Sequence, residues 1–99
     1  MSDVITIDVG LVEDERQLHE LLGRELDFPS FYGRNWDAFW DAVTGLVEIP
    51  SHLRFIGWAR LLENVPRGAA MLASQLDRYR REYRPDLRVE FDGPASSDT

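Results

Sequence analysis

Three short strand-like segments are separated by stretches long enough for helices, and this order constrains the fold more than any other feature of the sequence. Segments 4–9, 53–58 and 87–91 are rich in β-branched and aromatic residues or alternate between apolar and polar positions, which is typical of strands. Strands joined through helices pair in parallel by right-handed crossovers. The pattern predicts an α/β fold, a small three-stranded parallel sheet packed with about four helices, with the first strand in the interior.

Helix signals lie in the stretches between these segments. Asp14 offers an N-cap for a first helix with a leucine stripe, and Asn35 caps a second helix that is predicted over 36–44 and stopped by Gly45. A short helical turn should follow the second strand. Pro66 then begins a longer helix with a continuous apolar face.

Length and composition favour a single domain that needs no disulfide bond. The chain has 99 residues, 43% of them hydrophobic, and no cysteine, so it has enough apolar surface for one core. The N-terminal segment MSDVITIDVG does not have the pattern expected of a signal peptide, and no apolar stretch approaches membrane-spanning length. We expect a cytoplasmic protein without membrane contact, with one domain over residues 1–92 and a disordered tail over 93–99.

The negative charge is concentrated in the N-terminal half. Residues 1–50 contain eleven Asp and Glu against three arginines, a net charge of −8, whereas residues 51–99 carry seven acids and eight arginines, a net charge of +1. Such a field repels nucleic acid and favours a basic partner. A negative balance also keeps a small protein soluble, and this simpler explanation stays open.

The segment YGRNWDAFWDAVTG, residues 32–45, combines an aromatic-rich helix with negative charge. At about 100° per residue, six apolar side chains share an arc that should face the core, with the second tryptophan at its edge: Trp36, Phe39, Trp40, Ala42, Val43 and Leu46. Asp37, Asp41 and Thr44 fall together in the neighbouring arc. Trp40 should therefore border a patch with two carboxylates and a hydroxyl.

Asp41 is the residue of this patch that folding alone does not explain. Asp37 lies in the first helical turn, where a carboxylate contributes about 0.3–1 kcal/mol. Asp41 lies beyond that turn and repels Asp37 by about 0.2–0.5 kcal/mol, with no arginine three or four residues away and no lysine in the chain. An external cation is its natural partner. Trp40 beside it is typical of a recognition surface, although packing at a core margin explains Trp40 equally well.

The same segment resembles the signature of the barstar family, small intracellular inhibitors of secreted bacterial ribonucleases. That signature runs Tyr-Gly-x-Asn-x-Asp-Ala-x-Trp-Asp, followed shortly by Thr-Gly, and nine positions match: Tyr32, Gly33, Asn35, Asp37, Ala38, Trp40, Asp41, Thr44 and Gly45. The resemblance covers residues 4 to about 91 and implies a three-stranded parallel sheet. It also implies that the second helix and the loop before it enter a ribonuclease active site.

The resemblance further implies roles for individual residues. Asp41 would act as a phosphate mimic among the basic groups of the enzyme, and Asp37 would supply a second charged contact. Four more matched residues would pack, orient or touch at the rim and the helix end: Asn35, Trp40, Thr44 and Gly45. The implied partner is a basic, barnase-like extracellular ribonuclease, bound by an inhibitor that is a monomer when free and uses no cofactor.

Several contact positions depart from the family pattern. Phe31 stands where the best-known member has a tyrosine, Leu46 replaces a second aromatic residue, and Trp36 replaces a smaller aliphatic one. On the long helix, either Asp77 adds an acidic contact or Arg78 occupies that place, where it would repel a basic enzyme. The departures leave open an alternative, a barstar-like domain that binds a different toxin or a regulatory protein.

An enzymatic alternative rests on the same carboxylates. Asp37, Asp41 and Glu48 are of the type that binds Mg²⁺ for phosphoryl chemistry. However, no basic surface accompanies them, and no nucleophile, base and orienting group stand together, so we expect neither a metal site nor an enzyme. His19 is expected at the surface or the margin of the leucine stripe, and His52 follows a turn.

Overall fold

The computed structural model describes residues 3–92, in which strands and helices follow one another in the predicted order. The elements are β1 (Val4–Asp8), α1 (Glu15–Glu25), α2 (Trp36–Asp41), a π-helical turn (Ala42–Leu46), β2 (His52–Ile56), α3 (Trp58–Asn64), α4 (Pro66–Tyr83) and β3 (Arg88–Asp92). The predicted C-terminal tail, 93–99, lies outside the described residues. None of the helices within 3–92 has the length and apolar character needed to cross a membrane.

The three strands form one parallel sheet in the order β1-β2-β3, so the predicted α/β class is confirmed. Val4 of β1 stands opposite His52 of β2, which in turn stands opposite Arg88 of β3. The interior strand is therefore β2, and the prediction of an interior β1 was wrong. The β-branched residues of β1 reflect burial of only one of its faces, because Ile7 is buried whereas Thr6 is exposed.

The helices pack against the sheet and form one continuous apolar core with it. Leu18 and Leu22 of α1 are fully buried, as the predicted leucine stripe requires, and so is Phe39 of α2. A Cβ added at Gly68 of α4 would lie 3.1 Å from Leu18 Cδ2. Glycine at this position therefore allows α4 to approach α1 closely.

The predicted helix starts are confirmed. The Asp14 side chain accepts a hydrogen bond from the Gln17 amide at 2.8 Å, and the Gln17 side chain accepts one from the amide of Glu13, the residue before the cap, at 2.9 Å, an arrangement close to a capping box. Asn35 Oδ1 accepts from the Ala38 amide at 2.7 Å. The bonds to the Gln17 and Ala38 amides satisfy donors that the first turn of a helix leaves free.

The second strand ends two residues earlier than predicted. Gly57 has φ 74°, a left-handed conformation that glycine adopts easily, and α3 begins immediately after it at Trp58. A Cβ at Gly57 would lie only 2.7 Å from Gly10 Cα. Two glycine backbones therefore touch at the carboxyl ends of β1 and β2.

The second helix changes geometry in its last turn. It is an α-helix to Asp41 and a π-helix from Ala42 to Leu46, and the Val47 amide donates to the Ala42 carbonyl, five residues back, at 3.2 Å. The prediction that an α-helix stops at Gly45 was therefore wrong. Leu46 was expected in the core but is 51% exposed, because the wider π turn alters the directions of residues after Asp41.

Candidate functional site

The exposed side of the second helix carries the predicted pair of carboxylates. Asp37 and Asp41 are both exposed and lie one turn apart on α2, so their side chains are neighbours. Within residues 3–92, no salt bridge involves either of them. We call Asp37, Asp41 and Thr44, with Trp40 at their border, the acidic face.

The opposite side of the same helix is fixed in the core. Phe39 is fully buried, and Trp36 is only 8% exposed. The Trp36 indole packs 4.3 Å from the His19 ring, centroid to centroid, and its Nε1 donates to Glu15 Oε1 at 3.1 Å. Trp36, which the family resemblance suggested as a contact residue, therefore holds α2 against α1 and does not present its ring to solvent.

Trp40 is held by the long helix α4. The Arg78 guanidinium Cζ lies 4.4 Å from the centre of the Trp40 ring, within the range of a cation–π interaction. The Tyr83 ring packs edge-on against the indole, with centroids 6.1 Å apart. Arg78 Nε also donates to Glu82 Oε2 at 3.0 Å. A positive side chain therefore stands at the border of the acidic face, a contact between helices that no local pattern could reveal.

The loop before α2 is anchored to α1 through a buried histidine. His19 is 2% exposed, so the prediction of a position at the surface or the margin of the leucine stripe was wrong, and its Nδ1 lies 2.5 Å from the Tyr32 hydroxyl. Phe28 is buried beneath the same loop, with its ring centroid 4.8 Å from that of Tyr32. Burial raises the pKa of Tyr32 well above its usual range. These contacts determine where the loop enters α2.

The burial of His19 predicts a pH dependence of stability. Burial lowers the pKa of His19 from its ordinary value of 6.5, and the negative charge of Glu15 acts in the opposite direction to a smaller extent. The unfolded chain therefore binds this proton before the folded protein does. The resulting stability is fully present above pH 6.5 and is lost as the pH falls below that value towards the folded-state pKa.

Urea unfolding over a pH series measures this effect. The free energy of unfolding should increase with pH across the interval between the two pKa values, and His19→Gln should remove the part of the slope that this residue causes. Equal slopes for the parent protein and His19→Gln would contradict the assignment.

The remaining rim positions are accessible. Phe31 is 75% exposed in the loop before α2. At the end of the π turn, Leu46 is half exposed and its neighbour Gly45 is exposed. A Cβ added at Gly45 would meet no heavy atom within 4 Å. The Thr44 hydroxyl donates to the Trp40 carbonyl at 2.7 Å, so it folds back on its own helix and keeps acceptor capacity towards solvent.

Asp77 lies apart from the acidic face. It accepts hydrogen bonds from Arg81 at 2.9 Å and Arg80 at 3.2 Å, and these bonds lower the pKa of its carboxyl group. It lines a groove between α4 and β3, together with Leu87. Of the two alternatives on this helix, the structure brings Arg78 to Trp40 and engages Asp77 elsewhere.

Glu48, the third carboxylate of the metal alternative, lines a cavity behind the π turn. This cavity has a volume of about 490 Å³, and Asp3, Tyr79 and Arg84 also line it. Within residues 3–92, no group of three or more His, Cys, Asp or Glu side chains is arranged to hold a metal ion.

Comparisons with known proteins identify the family of this chain. The family model described as Barstar (barnase inhibitor) matches residues 2–92. A Bacillus subtilis (strain 168) protein named "Putative ribonuclease inhibitor YrdF" is 37% identical over 90 residues, which cover 88% of this chain and 91% of that protein. The chain belongs to the barstar family of ribonuclease inhibitors and is therefore an inhibitor-type protein and not an enzyme.

Proposed function

We propose that this protein is a stoichiometric inhibitor of a small, basic, secreted bacterial ribonuclease and that the acidic face plugs the active site of that enzyme. Asp41 takes the place of a substrate phosphate among basic side chains, and Asp37 makes a second charged contact. The observation that carries the proposal is the exposed carboxylate pair, which has no salt-bridge partner within residues 3–92.

Two further findings support this proposal. All five acidic side chains of α1 and α4 pair with arginine, as in Glu20 with Arg34 and Asp77 with Arg81, whereas neither acidic side chain of α2 takes part in a salt bridge within residues 3–92. In addition, a relative of 37% identity carries the name of a ribonuclease inhibitor. The inhibitor would act in the cytoplasm as a monomeric domain over residues 1–92.

The proposed contact surface is narrower than the set that the sequence suggested. It retains six residues besides the two aspartates: Phe31, Asn35, Trp40, Thr44, Gly45 and Leu46. Trp36 is left out because it is buried, and Asp77 is left out because it is paired and lines another groove.

The alternative is a different toxin or a regulatory protein as the partner. The exposed apolar side chains of Phe31 and Leu46 and the positive charge of Arg78 favour it, because they change the character of the rim while leaving the two aspartates in place. Asp37 and Asp41 would then bind basic groups of that other partner in the same way.

Titration of ribonuclease activity tests the proposal directly. Barnase, the enzyme in the description of the family model, would be assayed against the parent protein, Asp41→Asn and Glu63→Gln. Each variant removes one negative charge, but Glu63 is an exposed residue of α3, away from the acidic face. We expect stoichiometric inhibition by the parent and Glu63→Gln, and its loss in Asp41→Asn. Equal inhibition by all three would overturn the role of Asp41.

Association should be accelerated by opposite charges. The net charge of −7 steers a basic enzyme towards the inhibitor, and salt screens this attraction over about 8–10 Å at physiological ionic strength. Stopped-flow association rates should therefore fall as salt increases, with a smaller change in dissociation rates. A flat series would exclude electrostatic steering.

Gly45 should contribute more to binding than to folding. Alanine has a higher helix propensity by about 0.5–1 kcal/mol, and the structure leaves room for its methyl group. We therefore expect Gly45→Ala to unfold at an equal or higher urea concentration while it binds the ribonuclease more weakly. Unchanged affinity would show that the enzyme does not approach the backbone of the π turn.

A further inference from the structure

Arg78 is a positive side chain at the border of the acidic face, and its position is fixed by two contacts. Its guanidinium stacks on Trp40 at 4.4 Å, and its Nε donates to Glu82 at 3.0 Å. The side chain remains 56% exposed. A guanidinium group has five N–H donors. Among residues 3–92, the Arg78 side chain uses one of them, in its hydrogen bond to Glu82. Its terminal amino groups are available at the surface.

This arrangement prepares Arg78 to bind a carboxylate. The planar fork of arginine matches a carboxylate in a bidentate geometry, and stacking on an aromatic ring reduces the conformational freedom that such binding would otherwise remove. A lysine or arginine of a partner at the same place would instead be repelled, which costs affinity.

We propose that Arg78, at the border of the acidic face, is a specificity-determining residue, an inference that rests on the proposed function. It selects ribonucleases in which the basic active site is bordered, opposite Trp40, by an aspartate or glutamate. The complete recognition surface then contains both signs of charge, with Asp37 and Asp41 directed at basic groups and Arg78 directed at an acidic one. An enzyme that is uniformly basic around its active site would bind less tightly.

A charge scan of barnase tests this inference. Each exposed lysine and arginine around its active site would be replaced by glutamate, one at a time, and affinity would be measured for the parent inhibitor, Arg78→Gln and Arg67→Gln. Arg67 lies on the same helix, is 79% exposed, and is displaced by about 16 Å along the helix axis. The two inhibitor variants therefore lose the same charge at different places.

At one position of the enzyme, replacement by glutamate should favour the parent inhibitor over Arg78→Gln. The ratio of their affinities should change there by at least about fivefold, a coupling typical of residues in contact. Arg67→Gln should retain this gain. Unmodified barnase should bind Arg78→Gln more tightly than the parent. The urea midpoint of Arg78→Gln should fall slightly because the stacking on Trp40 is lost, so binding and stability change in opposite directions.

The outcomes separate the inference from the function on which it rests. If Asp41→Asn loses inhibition but no enzyme variant distinguishes the parent from Arg78→Gln, then only the role of Arg78 is overturned. If the parent does not inhibit barnase, or inhibits it without Asp41, the proposed function fails and the inference fails with it.

Discussion

Asp41→Ala should weaken binding to the ribonuclease by at least about thirtyfold while the protein stays folded. Truncation of one member of a desolvated charge pair generally removes about 2–5 kcal/mol, and about 1.4 kcal/mol corresponds to a factor of ten. In the free protein the same change relieves repulsion from Asp37, so the free energy of unfolding should stay constant or rise by about 0.2–0.5 kcal/mol. Inhibition constants and urea unfolding measure the two effects separately.

Asp37→Ala is the matched comparison for this prediction. It removes a carboxylate one turn away on the same exposed side, but this carboxylate also stabilises the first turn of α2. We therefore expect a smaller loss of affinity than for Asp41→Ala, together with a slight loss of stability. A loss of stability in Asp41→Ala large enough to explain its weaker binding would contradict a direct role for Asp41.

Phe39→Ala should produce the reverse pattern, a large loss of stability with the binding chemistry left in place. Phe39 is fully buried on the core side of α2, and its ring lies 5.4 Å from that of Trp36 and 5.8 Å from that of Phe28. Removal of a buried phenylalanine ring leaves a cavity and lowers the free energy of unfolding by about 3–5 kcal/mol. Urea denaturation would show this as a lower midpoint.

Phe39→Leu keeps most of the volume and should lose much less stability. At low temperature and without denaturant, the folded fraction of Phe39→Ala should still inhibit, because Asp37 and Asp41 are unchanged. An unfolding free energy equal to that of the parent would show that the core around α2 is not packed as the structure indicates.

Local signals in the sequence were sufficient for most of the architecture. The caps formed by Asp14 and Asn35 depend on residues only three positions apart, and the leucine stripe of α1 depends on helical spacing, so both could be predicted. The acidic face could be predicted for the same reason, because Asp37 and Asp41 are separated by one helical turn.

Contacts between distant segments could not be predicted in this way. The burial of His19 depends on Tyr32 and Trp36 closing over it, and the position of Arg78 depends on α4 packing beside Trp40. Strand order is likewise a property of the whole chain. The β-branched residues of β1 are equally compatible with an edge strand and an interior one when only one face is covered.

The π turn between α2 and β2 also bears on how the length of this chain can vary. A π turn contains one residue more than an α turn, and here the extra residue is accommodated in 42–46, between an anchored helix and the interior strand of the sheet. Deletion of one residue there can be absorbed by return to an α turn, with Phe39 and Leu53 kept in the core. Such a deletion would redirect Leu46 without disturbing Asp37 or Asp41, so gain or loss of a single residue offers a route to a different rim around an unchanged pair of charges.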